Sequence, residues 1–113
     1  MYAFTHDAPI DAAKHARVIE LLGPEPVEGL VVHLAFALPE GGLRYVDVWE
    51  SEAASDAFRE TRLDAAVGQM LAENGIVVPE GQHAPTFELD IVDVLLGPSA
   101  ARGVTAGAAA GPS

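Results

Sequence analysis

Alternation of apolar and polar positions is clearest in the stretch 29–51, and the other elements are arranged around it. Two runs rich in valine, leucine and aromatic residues flank the segment 39–42, Pro-Glu-Gly-Gly. Proline presets the backbone for a turn and glycine accepts a positive φ, while β-branched and aromatic residues favour strands. The stretch therefore predicts a β-hairpin, and Ser51 at its end can cap a following helix.

The remaining hydrophobic pattern predicts two more strands and two helices. Apolar residues at helical spacing follow Asp7, which is the expected N-cap, and stop at Gly23. A second helical pattern follows the hairpin and stops at Asn74. The alternation at either end of the chain predicts strands over 2–5 and 86–96.

The element order, β-α-β-β-α-β, predicts the fold class. An α+β, ferredoxin-like βαββαβ domain places four strands in one antiparallel sheet with two helices on one face. We expect this domain to cover residues 1–97. The tail from 98 to 113 consists mainly of glycine, alanine, serine and proline. Such a composition cannot bury enough apolar surface to offset its ordering entropy, so we expect the tail to be disordered.

Both faces of the first hairpin strand are largely apolar. One face carries Leu30, Val32, Leu34, Phe36 and Leu38, and the other carries Val31, His33, Ala35 and Ala37. A sheet face in contact with water normally carries polar residues at alternate positions. Exposing several large side chains would forfeit several kcal/mol at ~25 cal/mol per Å² of apolar area. Because no segment is left over to cover the second face, the sequence predicts a homodimer that packs sheet against sheet.

Composition and charge exclude several classes of partner. With 17 acidic and 6 basic residues the formal net charge is −11, and this charge repels nucleic acid phosphates and anionic membrane surfaces. The chain contains no cysteine, so neither disulfides nor thiolate chemistry is available. The sequence shows no signal peptide, no membrane-spanning apolar run and no cluster with metal-ligand spacing. We therefore expect a cytoplasmic protein without a metal.

Two polar residues in the middle of the hairpin strands are the candidates for catalysis. His33 lies on a face of small alanines, where it can act as a general base near neutral pH or serve as a hydrogen-bonded core histidine. Asp47 lies between two valines, where a carboxylate is costly unless it is paired. It can orient a histidine or form a bond across a dimer. The sequence leaves both pairs of alternatives open.

Aromatic residues on the second hairpin strand are the candidates for ligand binding. Tyr45 supplies a phenol donor, and Trp49 either stacks on a substrate or packs the entry to the following helix. If Pro39 faces Gly42 in the hairpin, His33 lies on the face opposite Tyr45 and Trp49. A slip of one residue places His33 on their face instead. The remaining histidines are isolated in sequence, namely His6, His15 and His83.

The hairpin residues resemble a known group of proteins, the dimeric α/β-barrel superfamily. The resemblance is carried by the runs 29–33 (Gly-Leu-Val-Val-His) and 42–51 (Gly-Leu-Arg-Tyr-Val-Asp-Val-Trp-Glu-Ser) and by Phe58. The similarity is to the antibiotic-biosynthesis-monooxygenase-like branch, which includes short actinobacterial proteins without an assigned activity. It covers roughly residues 2–97, the size of one domain, and implies ferredoxin-like subunits that dimerise into an α/β barrel.

The resemblance implies two functional hypotheses. The first is a small cofactor-independent oxygenase-like enzyme, or a polyketide cyclase or isomerase, acting on an aromatic or polyketide-like molecule, with His33 as base and Phe58 lining the pocket. The second is a non-catalytic dimeric protein that binds a small aromatic ligand or has an accessory role. Haem-degrading members use an Asn on the first strand and a Trp and a His on the second helix. This sequence has Phe58 at the matching helix position and no Asn in 2–6, so we expect no haem cofactor.

Overall fold

The computed structural model describes residues 1–79 and 85–99, and its elements follow the predicted order. They are β1 (Tyr2–Ala8), α1 (Ala12–Leu22), β2 (Leu30–Ala37), β3 (Leu43–Trp49), α2 (Glu52–Phe58), α3 (Asp64–Glu73) and β4 (Thr86–Leu89). A π-helical segment, Arg59–Leu63, joins α2 to α3. The four strands form one antiparallel sheet in the order β2-β3-β1-β4. The predicted ferredoxin-like fold is therefore confirmed. His83 and, apart from 98 and 99, the predicted tail 98–113 lie outside the described residues.

The first helix begins later than the sequence pattern predicted. Strand β1 continues to Ala8, and the N-cap is Asp11, whose side chain accepts a hydrogen bond from the backbone N–H of Lys14. The prediction of Asp7 as the cap was wrong. Asp7 pairs across the sheet with Arg44, whose Nε lies 2.8 Å from its Oδ1. This cross-strand pair of opposite charges stabilises Asp7 in the sheet and so favours a strand over a helix cap at this position.

One possible hairpin register placed Pro39 opposite Gly42. The observed register differs from it by one residue. The backbone N–H of Leu38 donates to the carbonyl of Gly42 at 3.1 Å, and Gly42 has a φ of 83°. From the turn outward, Ala35 pairs with Tyr45 and His33 pairs with Asp47. Val31 is then an extra residue in β2, because the pairing shifts between positions 30 and 32. This register brings His33 to the face of Tyr45 and Asp47.

The last strand is shorter than the sequence pattern predicted. The alternation suggested a strand over 86–96, but β4 ends at Leu89. Leu89 pairs with Ala3, and β1 begins at Tyr2. Beyond Leu89, β1 therefore offers only one more residue with which β4 could pair. Val92 and Leu95 beyond it are 98% and 92% exposed. Hydrophobic alternation alone could not show where the neighbouring strand begins.

The two faces of the sheet have different surroundings. The helix-facing side carries Tyr45, which contacts His15 of α1, and Trp49, which contacts Phe58 of α2. The opposite side, which we call the apolar sheet face, carries four large exposed residues, Leu34 (45% exposed), Phe36 (48%), Phe87 (61%) and Leu89 (40%). No helix within the described part of the chain is long and apolar enough to cross a membrane.

The helices are held together by a small core and by one arginine. Val18, Ala66 and Met70 are buried between α1 and α3. The guanidinium of Arg62, in the π-helical segment, donates to three backbone carbonyls at the end of α1 and in the following loop. Carbonyls at a helix C-terminus have no hydrogen-bond partner within the helix, so the Arg62 side chain supplies the missing donors. The acceptors are Leu22 (3.0 Å), Pro26 (2.9 Å) and Glu25 (3.2 Å).

Replacing this arginine tests the contribution of the carbonyl contacts. Arg62→Met keeps most of the packing volume but removes the three donors, so we expect a loss of about 1–3 kcal/mol in the free energy of unfolding. The matched control is Arg59→Met in the same segment, where an exposed ion pair with Asp56 is lost and the expected change is under about 1 kcal/mol. Urea denaturation measures both. Equal losses would contradict the assigned role of Arg62.

Candidate functional site

A histidine and an aspartate face each other across β2 and β3. His33 Nδ1 lies 2.5 Å from Asp47 Oδ1, and the Asp47 side chain is only 13% exposed. The second carboxylate oxygen accepts a hydrogen bond from Trp49 Nε1 at 3.3 Å. Both oxygens of Asp47 are therefore paired, and this pairing makes a largely buried carboxylate tolerable in a sheet.

The aspartate determines which nitrogen of His33 carries the proton. A carboxylate only accepts hydrogen bonds, so Nδ1 of His33 must be the donor. In the neutral ring, Nε2 is then the unprotonated nitrogen with a free lone pair. This atom is buried and has no hydrogen-bond partner among residues 1–79 and 85–99. Since buried polar atoms are rarely left unpaired, Nε2 is a position in the site suited to a ligand group or a proton, and His6 Nδ1 is likewise buried and without a partner among the described residues.

Three more rings surround this pair on the helix-facing side. The ring centroids of His15, His33 and Tyr45 form a triangle with sides of 5.3, 5.3 and 5.8 Å. His15 comes from α1, and its Nδ1 lies 2.9 Å from the hydroxyl oxygen of Tyr45. His6 of β1 lies on the other side of Tyr45, with 5.1 Å between the ring centroids. The site is thus a cluster of three histidines around one tyrosine.

Burial keeps the groups around His33 neutral. It raises the pKa of Tyr45 to about 12, with a smaller contribution from the negative charge of Asp47. Burial also lowers the pKa of His6 and that of His15, and for His6 the negative charge of Asp47 opposes part of this effect. At neutral pH the cluster therefore presents a protonated phenol and two uncharged imidazoles, which can donate and accept hydrogen bonds without carrying charge.

The predicted ligand-binding aromatic residues divide into two groups. Tyr45 belongs to the histidine cluster, whereas Trp49 is 2% exposed and packs against Phe58 with 5.5 Å between the ring centroids. The guanidinium carbon of Arg62 lies 5.5 Å from the centre of the Phe58 ring. Trp49 contacts the His33–Asp47 pair by donating its indole N–H to Asp47. Among these contacts none joins Phe58 to His33.

Sequence reasoning missed two members of the cluster. His6 and His15 were treated as isolated because no partner lies at a recognisable spacing. A signal for His6 existed, since it shares a strand face with Tyr2 and Phe4, and its ring stacks on Phe4 at 5.7 Å. For His15 the sequence offers no comparable signal, because its contact depends on where α1 crosses the sheet.

Two cavities lie on the surface, and one of them borders His6 of the cluster. One, of about 490 Å³, is lined by residues 1–3 and 88–94, at the start of β1 and the end of β4. The other, of about 240 Å³, is bordered by Thr5, His6, Arg44 and Phe87, among others. Neither of these two cavities includes His33. Within the described ranges no group of three or more histidines and carboxylates is arranged as a metal site.

Comparison with solved structures identifies proteins of the same fold. The NE2512 protein of unknown function from Nitrosomonas europaea is 14% identical, with 85% of this chain and 93% of that one covered and a TM-score of 0.60. A "putative antibiotic biosynthesis monooxygenase" from Deinococcus radiodurans is 12% identical, with 85% and 97% covered and a TM-score of 0.51. Rv0793 from Mycobacterium tuberculosis is 14% identical, with 82% and 95% covered and a TM-score of 0.52.

These similarities define the structural class. The chain shares its ferredoxin-like fold with these three structures, one of which is described as a "putative antibiotic biosynthesis monooxygenase", and the similarity is one of fold alone. No protein-family model matches the sequence, and no curated protein matches it. At identities of 12–14% the shared fold carries no activity with it, because one fold supports many functions.

The depressed histidine pKa values predict a loss of stability in acid. In the folded chain His6 and His15 bind a proton less readily than in the unfolded chain. The stability that these two histidines contribute is therefore fully present above their pKa in the unfolded chain. It is lost as the pH falls through their lower pKa in the folded chain. We expect the melting temperature to drop by a few degrees between about pH 7.5 and about pH 5.5, above the range in which most carboxylates titrate. The double variant His6→Asn/His15→Asn should show a smaller drop. An unchanged drop would assign the acid sensitivity to other groups.

Proposed function

We propose that this protein is a small cofactor-independent oxygenase-like enzyme that acts on an aromatic or polyketide-like molecule. The observation that carries the proposal is the buried Nε2 of His33, which has no hydrogen-bond partner among the described residues, in a ring whose Nδ1 is bonded to Asp47. A base oriented by a carboxylate is a recurring arrangement for proton abstraction. The shared fold with a protein described as a monooxygenase agrees with this proposal and supplies no substrate.

The proposed chemistry begins with a proton transfer. His33 Nε2 takes an acidic proton from the substrate, and Asp47 stabilises the imidazolium that forms. The resulting anion is delocalised over the aromatic system and is electron-rich. It reduces O₂, the second substrate, and combines with it at carbon to give a hydroperoxide anion. Return of the proton and loss of water then leave a carbonyl on the substrate, so one oxygen atom of O₂ is in the product and the other is in water.

The aromatic residues have distinct proposed roles. Tyr45 contacts the substrate beside His33, because its ring lies 5.3 Å from the imidazole. Trp49, just before α2, and Phe58, the last residue of α2, pack together and form the apolar end of the proposed binding region. Trp49 also helps to hold the carboxylate of Asp47 in place through its indole N–H.

Two alternative functions share part of this evidence. A polyketide cyclase or isomerase would use the same base without O₂, so oxygen uptake separates it from an oxygenase. A non-catalytic ligand-binding or accessory protein is favoured by one observation, namely that neither of the two cavities described above contains His33. For such a protein, ligands would bind without turnover.

We also propose that the protein functions as a cytoplasmic homodimer. The apolar sheet face exposes Leu34, Phe36, Phe87 and Leu89, and water contact at these side chains is unfavourable. A second copy offers the same face, and a two-fold interface is self-complementary. Large exposed apolar patches on a sheet usually mark such interfaces.

Charge substitutions on the apolar sheet face test the dimer. The wild-type chain should sediment as a dimer at micromolar concentration, and Leu34→Asp or Phe36→Asp should give an aggregating monomer or an unfolded chain, because a charge cannot be buried between two sheets. Ala53→Asp on α2 is the matched control, since it adds the same charge at an exposed helical position and should leave the dimer intact. A wild-type monomer would contradict the proposal.

Replacement of His33 tests the catalytic assignment. Oxygen uptake is measured with a panel of hydroxylated polycyclic aromatic compounds, and His33→Ala should lower the rate with any active compound by about a hundredfold or more. Asp47→Asn should also lower it, because the amide no longer fixes the tautomer of His33. Circular dichroism checks that both variants remain folded.

Thermal melts separate catalysis from a purely structural role. If His33 is a core residue, His33→Ala leaves the carboxylate of Asp47 without its partner and costs about 1–3 kcal/mol. A large drop in melting temperature, with no change in the response to any aromatic compound, would remove His33 from the mechanism. Ligand binding by the wild type without oxygen uptake or product would favour the accessory protein.

A further inference from the structure

A second hydrogen-bonded pair lies beside the His33–Asp47 pair and is not used by the proposed base. It consists of His15 Nδ1 and the Tyr45 hydroxyl, 2.9 Å apart. The two members come from α1 and β3, so the bond ties a helix to the sheet. Burial keeps His15 uncharged and Tyr45 protonated near neutral pH, since it lowers the pKa of the histidine and raises that of the tyrosine.

The two pairs have complementary hydrogen-bonding character. His33 Nε2 is a buried acceptor without a partner among the described residues. Tyr45 has one O–H to donate, and its oxygen can accept at the same time. If His15 carries its proton on Nδ1, it donates to the Tyr45 oxygen and leaves the tyrosine O–H free for another acceptor. An acceptor and a donor within one triangle of rings can together hold a group that both donates and accepts, which is the property of a hydroxyl.

We propose that His15 is a positioning residue that turns the Tyr45 hydroxyl towards the substrate, and that the His15–His33–Tyr45 triangle binds an acidic hydroxyl group, that of a phenol or an enol. This inference rests on the proposed role of His33 as the base. The substrate O–H donates to His33 Nε2, and the Tyr45 O–H donates to the same substrate oxygen. Neither His15 nor His6 contacts the substrate in this arrangement.

The proton transfer at this site is simple. The substrate O–H bond breaks, an N–H bond forms at His33 Nε2, and the electron pair stays on the oxygen as a phenolate or enolate. The imidazolium remains bonded to Asp47. The hydrogen bond from Tyr45 strengthens as charge develops on the substrate oxygen, because hydrogen bonds to ionised acceptors are stronger than those between neutral groups. No oxidant is needed for this step, so it can be observed without turnover.

The probe is 4-nitrophenol, whose visible absorbance reports ionisation of its hydroxyl group. The wild-type protein should bind it and increase its phenolate fraction at neutral pH. 4-Nitroanisole, in which a methyl group replaces the hydroxyl hydrogen, should bind at least about tenfold more weakly, since one hydrogen bond is lost and His33 Nε2 stays unpaired. Acetylacetone, measured by its enolate absorbance, tests an enol in place of a phenol and distinguishes the two sources of the hydroxyl group.

Variants separate the role of His15 from that of the base. Tyr45→Phe and His15→Leu should each weaken 4-nitrophenol binding about tenfold and reduce the phenolate fraction. His15→Asn should retain most of both properties, because the Asn amide places a donor near the position of Nδ1. Glu20→Gln on an exposed part of α1 is the control and should behave as the wild type. Thermal melts verify that each variant is folded.

The outcomes distinguish this inference from the proposed function. If His33→Ala abolishes ionisation of 4-nitrophenol while folded His15→Leu and His15→Asn bind as the wild type does, His15 has no positioning role and the proposed base stands. If 4-nitroanisole binds as tightly as 4-nitrophenol, the triangle does not recognise a hydroxyl. If the wild type neither binds nor ionises 4-nitrophenol or acetylacetone, both the inference and the proposed base are overturned.

Discussion

The register in which β2 pairs with β3 is the constraint on which the candidate site depends. Side chains alternate between the faces of a strand, so a shift of one residue would move His33 to the apolar sheet face and leave Asp47 without its histidine partner. The turn at Gly42 fixes the register at one end of the hairpin. At the other end, the extra residue Val31 absorbs a shift, and the carbonyl of Gly29 accepts a hydrogen bond from the N–H of Glu50 at 2.8 Å.

This register separates assembly from chemistry. One side of the sheet carries the large exposed apolar residues, and the other carries His6, His33, Tyr45 and Asp47. A contact on the apolar sheet face can therefore cover hydrophobic area without displacing the polar cluster. The same pairing satisfies one oxygen of the Asp47 carboxylate and leaves His33 Nε2 without a partner in the part of the chain that the structure describes. One cross-strand contact thus stabilises the buried carboxylate of Asp47 and leaves the Nε2 atom of His33 available to accept a hydrogen bond or a proton.

The sequence was sufficient to predict the fold and to select His33 and Asp47, because element order and a charged residue between valines are local properties. It left the hairpin register open, since Pro39 and the two glycines allow turns that differ by one residue. The end of β4 depends on where β1 begins, and the place of His15 depends on the path of α1 over the sheet. These are contacts between distant elements, and they leave no periodic pattern in the chain. Asp7 shows the same limit, because its partner Arg44 lies 37 positions away.

The most direct test of this account is the tautomeric state of His33, measured by ¹⁵N–¹H correlation NMR on labelled protein near neutral pH, with His33→Gln used to assign the signal. The account predicts that Nδ1 carries the proton, hydrogen-bonded to Asp47, and that Nε2 is unprotonated. In Asp47→Asn this preference should be reduced or reversed. A neutral His33 with its proton on Nε2 in the wild type would contradict the account, because the aspartate would then neither orient the ring nor leave a base facing the cluster.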